Sequence, residues 1–277
     1  MQLRAASARG AGAGEEHSGG LVVAVVGGKG GVGKTNVALN VGLELAQRGR
    51  RVILLDADCG VANADILLNV TPRAALDELL DPTRPVDEVL MPTACGLALV
   101  CRPDQRGHGL RPAEWRYVIR RLRPCGDLVL VDCGSGIGAG VVTVARTADL
   151  VLAITTPEPT ALADTYATLK ILCQGGYEGR VGCVVNMAAD AAEAAAVAGR
   201  LAGAAARFLG LTVTYLGGIR LDRHVPRAVR ARVPVVLRYP RCRASACLRA
   251  ISAQLAPVAG GPPRAAGLWT RMAGLFL

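Results

Sequence analysis

Residues 21–35 read LVVAVVGGKGGVGKT: six apolar residues, then glycines interrupted by two lysines, then a threonine. A continuous apolar run that stops at glycine is the pattern of a strand buried on both faces. A helical pattern follows over Asn36 to Gln47 and is stopped by Gly49. From Gly28 to Thr35 the stretch fits GxxxxGK[ST], set between strand and helix where that motif requires it. Gly28, Gly30, Gly31 and Gly33, with Lys29, Val32 and Asn36 alongside, form a loop whose backbone N–H groups can turn inward around a β-phosphate. Lys34 supplies a compact positive charge to the β- and γ-oxygens, Thr35 offers its hydroxyl to Mg²⁺, and the helix start adds its dipole.

The rest of the chain repeats the strand signal. RRVILLDAD (50–58), LALV (97–100), DLVLVD (127–132), DLVLAITT (149–156), RVGCVVN (180–186) and LTVTYLGG (211–218) are separated by helical stretches, with proline-rich loops and short helices near 73–91. This alternation predicts an α/β fold, a doubly wound and mostly parallel sheet with helices on both faces, over residues 21–257.

Composition narrows the function. The chain has 277 residues and is 51% hydrophobic, yet holds no charge-free apolar run of about 18 residues, so no transmembrane helix is expected. Aromatics at 3% exclude a platform that stacks nucleic-acid bases. Of 32 basic residues, three are lysine (Lys29, Lys34 and Lys170) against 29 arginines, so the two lysines of the glycine loop mark places where a compact ammonium is needed. Residues 1–20 are Gly/Ala/Ser/Arg-rich without periodicity, predict a disordered arm and lack the apolar segment of an export signal. The nine cysteines are therefore expected to be reduced, and spacings such as Cys95 to Cys101 and Cys242 to Cys247 contain no CxxC pair, which favours small buried residues over metal ligands.

Carboxylates stand at strand ends beside the loop. Asp56 and Asp58 close the second strand, and Asp132 ends LVLVD ahead of Cys133-Gly134-Ser135-Gly136; such groups can hold Mg²⁺ or orient a water, or else simply cap a turn. Asp132 fits a Walker B aspartate that binds Mg²⁺ through water. Asn186 ends VGCVVN and reads either as a turn former or as an amide for an adenine edge.

KGGVGKT, with Lys29 ahead of the glycines, resembles the deviant Walker A ATPases of the MinD/ParA class over about residues 21–257. The resemblance implies that Lys29 reaches the partner's nucleotide in an ATP-sandwich homodimer, and that Lys29, Lys34 and Asp58 form the catalytic set with Asp58 positioning the attacking water. It places Thr35, Asp56 and Asp132 at the metal, Asn186 at adenine, and Ile219 and Arg220 in a loop around the base, where Arg220 replaces the usual proline. KTNVALNVGLELAQRGRRVILLDAD, TTPEPTALADTYATLK (155–170) and LDRHVPRAVRARVPVV (221–236) look like the FlhG/FleN branch, MinD-like ATPases that control flagellar number and placement. That branch implies a flagellar regulator or an SRP-type flagellar GTPase as partner. The arm lacks the short Gln/Leu/Arg helix through which family members stimulate that GTPase.

Two C-terminal features complete the reading. Between 220 and 249 nine arginines face one acidic residue, Asp222, a basic face for nonspecific DNA phosphates, anionic lipid or an acidic partner, or a merely solvated surface. After a linker at 258–263, residues 264–277 (RAAGLWTRMAGLFL) place Leu268, Trp269, Met272, Leu275 and Phe276 on one helical arc beside Arg264 and Arg271. This predicts an interfacial helix at the inner face of the cell membrane. The whole reads as a cytoplasmic ATPase switch of FlhG/FleN type. The alternatives are a septum-placement or partition ATPase, and an iron–sulfur carrier of the same fold using Cys101 and Cys133.

Overall fold

The computed structural model describes residues 19–58, 63–101, 109–136 and 138–257. The arm through residue 18, the linker 258–263 and the helix expected over 264–277 lie outside the described residues.

Eight strands form one sheet: β1 (Leu21–Val26), β2 (Val52–Ala57), β3 (Met91–Pro92), β4 (Ala98–Val100), β5 (Leu128–Cys133), β6 (Leu150–Thr155), β7 (Arg180–Ala188) and β8 (Val213–Arg220). Their order is β3-β4-β2-β5-β1-β6-β7-β8, parallel throughout except for the β3–β4 pair. The apolar runs β1, β2, β5 and β6 are buried along nearly their whole length because both sheet faces are covered. Alternate residues serve opposite cores: Val22, Ala24 and Val26 of β1 join one cluster, and Val23 and Val25 the other. The first cluster is closed by α4 (Pro112–Leu122), α5 (Ala139–Thr147), α6 (Pro159–Gln174) and α7 (Ala191–Leu209), through Trp115, Val144, Leu169 and Val197. The second is closed by α1 (Lys34–Ala46), α8 (His224–Arg230), α9 (Val235–Arg238) and α10 (Arg243–Leu255), through Leu39, Ala228, Val235 and Leu248. Two short helices, α2 (Ala64–Leu68) and α3 (Val86–Val89), lie in the β2-to-β4 connection.

At the amino ends of the central strands, Arg51 donates from its backbone N and its Nη2 to Asp127, each at 2.9 Å, tying the start of β2 to the start of β5. At the carboxyl ends, Val25 of β1 and Asp56 of β2 are both in register with Asp132 of β5. The chain leaves β1 on one side and returns on the other at this point, so loops from three strands open a crevice there.

Three local features depart from the sequence reading. Helix α1 begins at Lys34, two residues before the expected Asn36. β3 was not expected, because a two-residue antiparallel pairing is too short to show a period and is fixed instead by the turn in which Thr93 N donates to Leu97 O. Ile219 and Arg220, expected in a loop, instead close β8; the strand pairs with β7 across a register shift, and Gly217 takes φ 138°.

Candidate functional site

The glycine loop is shaped by contacts that exclude side chains. A Cβ on Gly28 would fall 2.0 Å from the Asp164 backbone, because the strand exit passes against α6. Gly33 has φ +90°, and a Cβ there would lie 2.4 Å from Asn186 Nδ2. Gly33 also occupies the N-cap of α1 and offers no capping side chain, so first-turn N–H groups of that helix are left for an anion.

Behind the loop, Lys34 is only 8% exposed, with its stem packed near Gly27. Its charge faces Asp132, which is 1% exposed. Burial, and next the neighbouring Asp56 carboxylate, push Asp132 up to about 7, against a hydrogen bond from the Thr35 hydroxyl and the Lys34 charge. Asp132 Oδ1 is buried without a hydrogen-bond partner. A buried carboxylate oxygen left unsatisfied beside a threonine hydroxyl fits a hard divalent cation, so Thr35 and Asp132 are the residues that would hold Mg²⁺. When bound, that ion would neutralise phosphate charge.

Asp56 is placed differently. Its Oδ1 accepts from Asp58 N at 3.1 Å, and its Oδ2 from Asn63 N at 3.0 Å and Ala64 N at 3.1 Å. Both oxygens accept backbone N–H groups, so the carboxylate anchors the chain between β2 and α2, and Asp132 is the carboxylate of the pair with an oxygen left without a partner. Asp58 faces the loop after β5: a Cβ on Gly134 would come 3.2 Å from its Oδ1. Asp58, Cys133, Gly134, Ser135 and Trp115 line a cavity of about 380 Å³ at the carboxyl end of β5, with room for a water beside Asp58.

Lys29 lies at the surface, 35% exposed, and its Nζ pairs with Glu158 Oε2 at 2.5 Å and reaches Thr160 Oγ1 at 3.3 Å. Glu158 is the N-cap of α6, inside the TTPEPT stretch. That contact was not foreseen; the signal for it was TTPEPT, which the sequence reading treated only as a mark of the FlhG/FleN branch.

The residues expected at the base are in use within the fold. Asn186 Nδ2 donates to Val32 O at 2.8 Å and its Oδ1 accepts Met187 N at 2.9 Å, so this amide clamps the phosphate loop onto β7. Met187, at φ 59°, is half-exposed beside Gly33. Ile219 is buried in the core, so only its backbone is available to a ligand, and Arg220 Nε donates to Ala189 O at 3.2 Å.

A glycine loop on a helix start, a buried lysine and an orphaned aspartate oxygen beside a threonine define a nucleotide-binding P-loop protein. A family model described as "ParA: NUBPL iron-transfer P-loop NTPase" matches residues 20–256. The chain belongs to this ParA/MinD family of P-loop NTPases. It is 36% identical over 236 residues to the antiactivator FleN of Pseudomonas aeruginosa, covering 83% of this chain and 84% of that one. It is 31% identical over 218 residues to the flagellum site-determining protein YlxH of Helicobacter pylori, covering 76% and 73%. Among solved structures, the cell division ATPase MinD of Pyrococcus furiosus shares the fold at a TM-score of 0.73 and 22% identity, over 86% of this chain and 99% of that one. The MinD of Pyrococcus horikoshii, complexed with Mg-ADP, gives 0.72 at 21% identity over 87% and 97%.

Proposed function

We propose that this chain is a switch of the FleN/FlhG kind, which binds ATP and Mg²⁺, dimerises with ATP, hydrolyses it and regulates flagellar number or placement. The observation that carries the reading is the pair of loop lysines with opposite placements. Lys34 is buried against Asp132, where it can serve its own nucleotide, whereas Lys29 stands at the surface, held by an exposed glutamate that it would have to leave to serve a second chain. The flagellar assignment rests on similarity to FleN and YlxH.

In this reading the loop N–H groups, Lys34 and Thr35 bind the phosphates, and Asp132 with Thr35 holds the metal. Asp58 orients the attacking water from the cavity beside Gly134, which lowers the barrier by positioning. The 264–277 helix docks the dimer on the membrane, since two marginal apolar arcs on one dimer gain roughly 10²–10⁴ in avidity. No helix among the described residues is long and apolar enough to cross a membrane.

The exposed arginines 223, 227, 230, 232, 241 and 243 favour a second reading, a partition-type ATPase that holds DNA phosphates. Such binding would weaken steeply with salt. An iron–sulfur carrier built on Cys101 and Cys133 is disfavoured: both thiols are buried, and they belong to the two separate cores on opposite faces of the sheet. Co-sedimentation with anionic liposomes, and separately with DNA, is the test, using the full chain with ATP, ADP or no nucleotide. Liposome pelleting that requires ATP supports the switch; pelleting with DNA alone supports the second reading.

A further inference from the structure

Far along the chain from the phosphate loop, three side chains of different chemistry converge where β8 hands over to α8 and α10. Asp222 follows β8, His224 opens α8 and Cys242 is the N-cap of α10. One ligand-type atom from each lies within 4.8 Å of the others. We propose that Asp222, His224 and Cys242 form a binding site for a divalent transition metal of the zinc class.

The donor set decides the class of ion. One thiolate, one imidazole and one carboxylate form the mixed S/N/O set that suits Zn²⁺, whereas Mg²⁺ and Ca²⁺ take all-oxygen shells. Two anionic donors balance a dication, which matters because Asp222 is the lone acidic residue among nine arginines between 220 and 249.

The geometry is close to what coordination needs. Bonds of about 2.0–2.3 Å in a tetrahedron separate ligand atoms by about 3.5 Å, so side-chain rotations of roughly an ångström close the site. His224 Nδ1 already lies 2.7 Å from Asp222 Oδ1, and its partly exposed ring rests against Tyr239 with centroids 4.7 Å apart. The outer shell is in place as well. Asp222 Oδ1 accepts His224 N at 2.9 Å and its Oδ2 accepts Ala244 N at 3.1 Å, which fixes the carboxylate. Cys242 Sγ accepts Ser245 N at 3.4 Å and lies 3.3 Å from Ser245 Oγ, contacts that orient a thiolate. Three protein ligands leave a fourth position for water, so the metal is exchangeable. Its binding joins the exit of β8 to the starts of α8 and α10.

The test uses the full-length protein stripped with chelator, then titrated with Zn²⁺ against a chromophoric competitor and, in parallel, with Co²⁺ read by near-ultraviolet absorption. One equivalent should bind, and Co²⁺ should give a thiolate-to-cobalt charge-transfer band. Cys242→Ser keeps an N-cap oxygen for Ser245 N and so preserves the fold, checked by its melting temperature, but should lose that band and bind Zn²⁺ at least about tenfold more weakly. His224→Gln should weaken Zn²⁺ binding similarly while keeping the band. Absence of binding at micromolar free Zn²⁺ means that the three side chains are only a hydrogen-bonded cap and overturns the site. A cobalt–thiolate band unchanged in Cys242→Ser places the metal on other cysteines and also overturns it.

Discussion

Lys29 and Glu158 stand 129 residues apart in sequence, yet the fold brings the ammonium of one within 2.5 Å of a carboxylate oxygen of the other. The contact ties the phosphate loop to the start of α6, and it engages the very lysine that a second chain's nucleotide would need. With Glu158 64% exposed, the pair is worth at most about 1 kcal/mol. Glu158→Gln should therefore tighten ATP-dependent dimerisation modestly, by up to about fivefold, with the gain shrinking at high salt. Sedimentation velocity across a concentration series measures it. A dimer weakened well beyond that factor would mean that Glu158 contacts the partner instead.

Lys34→Ala should abolish ATP binding, because a desolvated phosphate loses the counter-charge it was buried against, a cost of about 3 kcal/mol or more. Lys34→Arg should not restore it, since the side chain is buried with its stem packed near Gly27 and a planar guanidinium is bulkier than the compact ammonium it would replace. Equilibrium binding of a fluorescent ATP analogue checks both. Wild-type affinity in Lys34→Arg would contradict the narrow-slot argument.

Asp58→Ala removes the side chain facing Gly134 and leaves the loop, Lys34, Thr35 and Asp132 in place. ATP should still bind and the dimer should accumulate, while phosphate release falls on the order of a hundredfold or more. Gel filtration with ATP and Mg²⁺ reads the first outcome and a phosphate assay the second. A variant that remains monomeric with ATP would remove Asp58 from the water-positioning role.

Asp127 sets an acid dependence of folding. Partial burial opposes its ionised form, but the Arg51 side chain, the Arg51 backbone N–H and the Arg51 and Arg50 charges together hold its carboxyl below the usual range. A carboxyl depressed on folding contributes stability that is complete above its unfolded value near 4 and is lost as pH falls through the lower folded value. Asp127→Asn should flatten the decline in the urea midpoint between about pH 4 and pH 2, and should destabilise the protein at pH 7 by about 1–3 kcal/mol. An unchanged acid limb would assign the decline to other carboxylates.

Deleting residues 264–277 should leave ATP-dependent dimerisation intact and remove liposome binding. Trp269→Glu should come close to the same result by placing a charge in the middle of the apolar arc. Raising salt should weaken wild-type binding only in part, because Arg264 and Arg271 contribute screened attraction and the apolar face does not. Should the truncated chain melt at a clearly lower temperature without lipid, the segment packs on the body instead, and the membrane part of the reading fails.

The sequence alone determined the strand order along the chain, the phosphate loop and the layering of helices on a parallel sheet. Those features are written locally: LVVAVV and LVLV are apolar throughout because both sheet faces are covered, and the glycines follow from backbone that must approach a phosphate or another chain segment closely. β3 escaped notice because two residues carry no period, and Ile219 and Arg220 read as a loop because the apolar run stops at two glycines and only pairing with β7 carries the strand on. What each polar group does was decided only by tertiary structure. Asp56 and Asp132 are both aspartates at the ends of apolar strands, yet the fold gives one three backbone N–H partners and leaves an oxygen of the other bare. Asn186 is indistinguishable in sequence from a turn former and clamps Val32 across 154 residues. Cys242 lacks a CxxC partner, which argued against a metal, and only the way the exit of β8 and the starts of α8 and α10 meet in the fold brings His224 and Asp222 to it. Periodicity reports which face of an element is buried, whereas a hydrogen bond or a ligand set depends on which distant atoms arrive within about 3 Å.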